Sequence, residues 1–264
     1  HLIGGKMKLT LMYFSPTHAT KKIVSAVGKV FFERMLCETR IADITPLAAR
    51  MRGYAFGEDD VLIFGAPVYG GRVPPLLVPF WRGLSGNGAR AVALSVYGNR
   101  DYDDALAETR DLLEEAGFAV SAAAAFIGEH SYSDKVGTAR PDADDLVAAS
   151  SFALGAYENV LSGKGITKRM KGAPYKAYSP FLLAPKKMPA ADAEKCTRCG
   201  KCISVCPVCN IAADLTDLGR CVACAACVKF CPAGARSFTD EGVLAAKERL
   251  EKNCTARRNP EFFL

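Results

Sequence analysis

At 264 residues, half of them hydrophobic, the chain is long enough for one large domain or for one medium and one small. It contains no apolar run of membrane-spanning length, so a soluble protein is expected. The formal charge of +6 would suit an acidic partner such as nucleic acid, but eleven cysteines, nine of them between Cys196 and Cys231, point to other chemistry.

His1–Lys6 read as an expression-tag remnant ahead of Met7 and carry no weight in the fold. "KLTLMYF" at 8–14 is strand-like; it holds Lys8 and runs directly into a turn, so no signal peptide is expected. A helix with apolar residues at helical spacing follows from about His18 to Arg34. "ETRIADI" at 38–44 is a weaker strand. "DVLIFGAP" at 60–67 and "ARAVALSVYG" at 89–98 are short apolar runs of the kind that fill a parallel sheet buried on both faces. "DDALAETRDLLEEAG" at 103–117 is helical, 118–128 forms a fifth strand, and 142–162 the last helix of this half. Alternating strands and helices predict an α/β fold, a doubly wound parallel sheet with right-handed crossovers. Ligands of such sheets bind at the carboxyl ends of the strands, here the turns around 15–20, 67–73, 97–103 and 128–132.

Composition changes at Gly163. Residues 163–190 carry four prolines, three glycines, many Lys and Arg and no acid, the pattern of a linker running over a surface. The expected organisation is an α/β domain at 7–162, this basic linker at 163–190, a cysteine domain at 191–240, and a C-terminal helix and tail at 241–264.

The cysteine domain reads "CTRCGKCISVCP" at 196–207 and "CVACAACVKFCP" at 221–232. Each is C-x2-C-x2-C-x3-C-P, the bacterial run for a [4Fe–4S] cluster, and together they form an internal repeat about 25 residues apart. Two-residue gaps aim three sulfurs inward, and the fourth comes from the opposite motif. Cys196, Cys199, Cys202 and Cys231 are therefore assigned to one cluster, and Cys221, Cys224, Cys227 and Cys206 to the other. Zinc sites use two C-x2-C pairs instead of a doubled four-cysteine run. The clustering also argues against a disulfide framework. Cys209 falls outside the pattern, opposite Gly234 of the second repeat, and reads as a spare buried thiol, with Cys37 and Cys254 as plain thiols.

These motifs, with the α/β half, resemble a flavodoxin-like domain fused to a bacterial two-cluster ferredoxin, as found in anaerobes. Nearly the whole chain is covered, strongly at 196–232 and more diffusely at 8–160. The family shows S-x-T-G-N-T after its first strand, wrapping the phosphate of FMN; this chain has "SPTHAT", matching at Ser15, Thr17 and Thr20. Backbone N–H groups at a helix N-terminus, aided by hydroxyls, stabilise a phosphate dianion. Pro16 removes one N–H where a glycine is usual, and His18 and Ala19 stand in place of Gly and Asn, with His18 a substitute donor. The resemblance also implies flavin contacts at Pro67, Val68, Tyr69, Gly70 and Gly71, and at Gly98 and Asn99, with Tyr97 or Tyr102 as a stacking ring. "IGEHSY" at 127–132 is a weaker fourth stretch, whose His130 reads as a hydrogen-bonded structural histidine. Eight cluster thiolates would add roughly −4 and a flavin phosphate roughly −2, so the loaded protein would be near neutral.

FMN and two [4Fe–4S] clusters in one chain imply a converter between two-electron and one-electron chemistry. The resemblance implies a cytoplasmic oxidoreductase of anaerobes: either a flavin-dependent reductase of a small organic substrate, or a pure electron carrier docking on a redox partner protein. No G-x-G-x-x-G follows a strand, which disfavours direct NAD(P)H use. Nucleic acid is not expected as a partner, although Lys164, Lys168, Arg169, Lys171, Lys176, Lys186 and Lys187 with Tyr175, Tyr178 and Phe181 make a basic, aromatic strip.

Overall fold

Five parallel strands build the centre of the molecule: β1 (Lys8–Tyr13), β2 (Glu38–Asp43), β3 (Val61–Pro67), β4 (Arg90–Tyr97) and β5 (Ala119–Ile127). The computed structural model describes residues 7–170 and 172–264, so the segment read as a tag and Lys171 of the basic strip lie outside the described residues. A sixth strand, β6 (Glu261–Phe263), pairs antiparallel with β5. The order across the sheet is β6-β5-β4-β3-β1-β2. The parallel part thus has the flavodoxin-like order 2-1-3-4-5, with its switch point between β1 and β3.

Helices cover both faces. α1 (Ala19–Met35) and α3 (Ala143–Ser162) pack side by side on one, burying Ile23, Val24, Phe31 and Phe152 against Leu9, Leu11, Ile63 and Phe126. On the other face α2 (Ala105–Glu115) and the short helix Val78–Trp81 enclose Met12, Phe64, Phe80 and Trp81. Successive residues of the parallel strands enter opposite cores, which is why their sequences are continuously apolar. Gly65 is required where α1 crosses β3: a Cβ there would come within 2.4 Å of Val24 Cγ2. α3 begins with a capping box between Asp142 and Asp145, and Asp145 also binds the buried Arg140 guanidinium through Nε at 2.8 Å.

The basic segment after α3 is held at intervals. Thr167 N–H donates to the Leu264 carbonyl, Lys176 N–H to Asp104, and Tyr178 O–H to the Val73 carbonyl and Glu108. Arg72 lies 4.3 Å from the Tyr178 ring centre and 5.3 Å from that of Tyr175. These two rings therefore seat the segment on the α/β domain and are not free to stack on bases.

Two four-residue helices, Lys201–Ser204 and Ala226–Lys229, and a two-residue ladder between Ala190–Ala191 and Arg236–Ser237 frame the cysteines. The 25-residue repeat is visible in the backbone. Positive φ recurs at Arg198 and Ala223, Gly200 and Ala225, and Cys209 and Gly234. Cys209 thus occupies a left-handed position that glycine fills in the other half, and its thiol is exposed, not buried as expected, because that turn lies at the surface. α4 (Glu241–Asn253) follows, capped by Asp240 accepting from Val243 N–H at 3.0 Å, and the chain then returns to the sheet as β6. No helix among the described residues is long and apolar enough to cross a membrane.

Candidate functional site

The turn after β1 is shaped for an anion. Ser15 N–H donates to Thr45 Oγ1 at 2.8 Å, and Ser15 Oγ accepts from Lys21 N–H at 2.9 Å. His18, at φ 68°, opens α1 without a side-chain cap. The N–H groups of Thr17, Ala19 and Thr20 find no acceptor among the described residues. Orphan N–H groups at the start of a 17-residue helix, beside hydroxyls, suit a phosphate. Pro16 removes one donor without closing this cradle.

Above the turn the strand ends converge on a small cavity lined by Ser15, Pro16, Thr17, Ala19 and Thr20, by Pro67, Val68 and Tyr69, by Tyr97 and Gly98, and by His130. A larger cavity of about 530 Å³ continues from it, sharing Val68, Tyr69, Tyr97, Gly98 and His130 and adding Gly70 and Gly71. Phe181 and Leu182 of the linker roof the larger cavity together with Ala245, Ala246 and Arg249 of α4. Its volume is in the range of cofactor and ligand pockets.

Gly98 is where the His130 ring lies; a Cβ there would come within 2.4 Å of the ring. His130 Nδ1 accepts from Tyr132 N–H at 3.1 Å, which leaves Nε2 to carry the proton of the neutral ring. Burial, with Lys229 and Arg100 nearby, pushes its pKa down to about 4.

Three residues expected at the flavin turn away from both cavities. The His18 ring packs on Phe230 of the second cysteine motif, with centroids 4.5 Å apart, instead of facing the cradle. Asn99 is 1% exposed and donates from Nδ2 to the carbonyls of Cys254 (2.7 Å) and Ala256 (2.9 Å). Tyr102 donates its hydroxyl to Glu261 of β6 and faces a separate cavity. The C-terminal tail has taken both side chains, a long-range competition that loop motifs do not reveal. Of the two candidate stacking rings only Tyr97 borders the cavities.

The cysteines fall into two groups. Cys196, Cys199, Cys202 and Cys231 line one cavity; Cys206, Cys221, Cys224 and Cys227 line another. Each group takes three residues from one motif and one from the other. Backbone N–H groups already point at sulfur: Asn210 to Cys206 Sγ and Ala235 to Cys231 Sγ, both at 3.2 Å, and Ala223 to Cys221 Sγ at 3.4 Å. Donors placed on sulfur stabilise thiolate ligands and tune a cluster. Burial pushes the metal-free thiols of Cys221, Cys224 and Cys227 up, Cys227 to about 12. The exposed Cys199 is pushed down, chiefly by the Lys201 N–H. Cys224 also lines the small cavity above the Ser15 turn.

Sequence motifs could not identify the roof. The roof comes from a linker and a terminal helix that carry no cofactor motif. The charge run at 163–190 was the one available signal that the linker contacts something.

Residues 187–208 and 215–237 match models of the 4Fe-4S binding domain. A search of curated proteins found no match. Among solved structures, the chain is similar to an archaeal flavodoxin at 14% identity, covering 59% of this chain and 99% of that one with a TM-score of 0.41. It is similar to a Streptococcus pneumonia flavodoxin at 13% identity, covering 59% and 99% with a TM-score of 0.41. It also resembles rubredoxin oxygen:oxidoreductase from Desulfovibrio gigas at 14% identity, covering 59% of this chain but 36% of that one, with a TM-score of 0.42. The chain thus joins an α/β sheet of flavodoxin-like strand order to two segments that each match the 4Fe-4S binding domain.

Proposed function

We propose that the chain binds FMN in the two joined cavities, holds one [4Fe–4S] cluster on Cys196, Cys199, Cys202 and Cys231 and a second on Cys206, Cys221, Cys224 and Cys227, and reduces a small molecule at the flavin. FMN exchanges one or two electrons and each cluster one, which matches a one-electron donor to a two-electron acceptor. The observation that carries the reading is the position of Cys224, which lines both the inner cysteine cavity and the cavity above the phosphate cradle. The inner cluster would therefore adjoin the flavin, and the outer one, beside the exposed Cys199, would receive electrons from a redox protein.

Ser15, Thr17 and Thr20 with the free N–H groups of the turn would hold the phosphate, and Val68–Gly71, Tyr97 and Gly98 would flank the ring system. Neutral His130, with Nε2–H available, can donate a hydrogen bond into the cavity at neutral pH. The roof of Phe181, Leu182 and α4 favours a reductase over a carrier. It narrows the approach to the larger cavity while leaving about 530 Å³ beneath it, room for a small molecule beside a bound flavin.

Anaerobic purification followed by assay of flavin, iron and acid-labile sulfide on one sample tests this directly. About one FMN and about eight irons per chain support the relay. Eight irons without flavin, and no uptake of FMN on titration, refute the flavin half. Reoxidation of the dithionite-reduced protein by a panel of small organic acceptors separates the reductase from a carrier, which would react only with redox proteins.

A further inference from the structure

Arg50 ends the short helix Leu47–Arg50 and is 5% exposed, yet among the described residues it makes no ion pair. Its guanidinium donates to the carbonyls of Ile44 (3.1 Å), Thr45 and Pro207, and lies 5.3 Å from the centre of the Phe14 ring. Pro207 directly follows Cys206. Thr45 is also the residue whose hydroxyl accepts from Ser15 N–H. One side chain thus links the phosphate turn to the loop of the inner cysteine set.

The charge of Arg50 has no fixed negative partner. Burial disfavours it, and the groups that favour it are Cys209, Tyr69 and Cys224. The other cations near the cysteines differ. Arg236 is shared: it donates to the Pro189 carbonyl and to Cys202 Sγ at 3.4 Å, and its charge also acts on Cys227. Lys186, beside Cys221, is offset by Asp240. Arg198 and Lys201, beside the outer set, are exposed and screened by solvent and salt. A buried, uncompensated cation in a low-dielectric setting stabilises added negative charge far more than an exposed one.

Building on the ligand sets of the proposed relay, we propose that Arg50 is the residue that makes the inner cluster the more easily reduced of the two. Its buried charge raises the reduction potential on Cys206, Cys221, Cys224 and Cys227 relative to that on Cys196, Cys199, Cys202 and Cys231. With both sets loaded, Arg50 would favour passage of one electron from the outer set to the inner, the outer being oxidised as the inner is reduced. No bond forms and no proton moves. The electron comes from the one-electron donor protein already invoked and flows toward the flavin cavity.

The test is a potentiometric titration, followed by electron paramagnetic resonance, of cluster-loaded wild type, Arg50→Met and Arg50→Lys. Iron is counted in each, and Cys199→Ser identifies the outer signal. In wild type the inner signal should appear at the higher potential. Arg50→Met should lower it selectively, shifting electron sharing toward the outer cluster by about tenfold, equivalent to about 59 mV for one electron. Arg50→Lys should restore much of the difference. Eight irons with unchanged potentials in Arg50→Met, or with both shifted equally, overturns the role of Arg50 while leaving the relay intact. An inner signal at the lower potential in wild type overturns it even if Arg50→Met fails to assemble. Fewer than eight irons in reconstituted wild type overturns the relay itself, and this inference with it.

Discussion

Glu108 joins the Tyr69–Val73 loop, α2 and the linker at one carboxylate, and Glu108→Gln should expose how much that junction contributes. It accepts from Arg72 Nε at 2.8 Å, Arg72 Nη2 at 2.6 Å, Val73 N–H at 2.8 Å and Tyr178 O–H at 3.2 Å. The Arg72 and Glu108 side chains are only 12% and 9% exposed, so solvent screens them little. Glutamine keeps one acceptor oxygen and turns a second donor toward Arg72. One of the two Arg72 bonds is lost outright, at about 1.5–3 kcal/mol for a charge-assisted bond, the other is weakened, and a buried guanidinium loses its countercharge. Removing one partner of a fully buried pair costs about 3–5 kcal/mol; because glutamine still satisfies some donors, we expect about 3 kcal/mol. For a chain of this size that lowers the Tm by about 6–12 °C. Trp81 is the sole tryptophan and belongs to the same buried core as Val73, so its fluorescence reports unfolding of the domain concerned. Tyr178→Phe should cost much less, and combining it with Glu108→Gln should be less than additive. A Glu108→Gln loss below about 1 kcal/mol would refute the view that this carboxylate is a buried hub.

Other outcomes follow from the same geometry. His130 has a folded-state pKa depressed to about 4, so its stabilising contribution is complete above about pH 6.5 and declines as acid protonates the unfolded chain between about 6.5 and 4. That window corresponds to about 3 kcal/mol; urea unfolding of wild type and His130→Gln across it should show the slope vanish in the variant. Ser15→Ala removes the acceptor for Lys21 N–H and a hydroxyl from the cradle, so calorimetric FMN titration should show weaker binding, with a stability loss of about 1 kcal/mol. Unchanged FMN affinity would remove Ser15 from the phosphate site. Cys199→Ser should lower the iron content from about eight to about four and leave the flavin bound, since the outer cysteine cavity does not border the flavin cavities.

Much of the fold was legible because its forces are local. Doubly buried parallel strands leave continuous apolar runs, amphipathic helices leave a 3.6-residue period, and the alternation of the two predicts the sheet. The cysteine grouping was legible through the bacterial cluster motif, whose fourth cysteine serves the other cluster, and the two cysteine cavities are lined by those same sets. The flavin loops were legible as regions but not residue by residue. Tyr69, Tyr97 and Gly98 border the cavities as expected. Asn99 and Tyr102 do not, because Cys254, Ala256 and Glu261 reach them from more than 150 positions away. The three-residue β6 has no period to read; it docks because Ala123–Ala125 of β5 leave an open sheet edge.

The sequence by itself determined the order of elements, the sheet type, and the doubled four-cysteine motif, all consequences of side-chain period and spacing along one stretch of chain. Only the tertiary structure decided how the two halves face each other: Cys224 against the cavity above the Ser15 turn, His18 on Phe230, and Arg50 on the carbonyl after Cys206. Such contacts join segments more than 150 residues apart, and each depends on the packing of everything between. The route between the flavin cavity and the cysteines is therefore a property of docking, which no local pattern encodes.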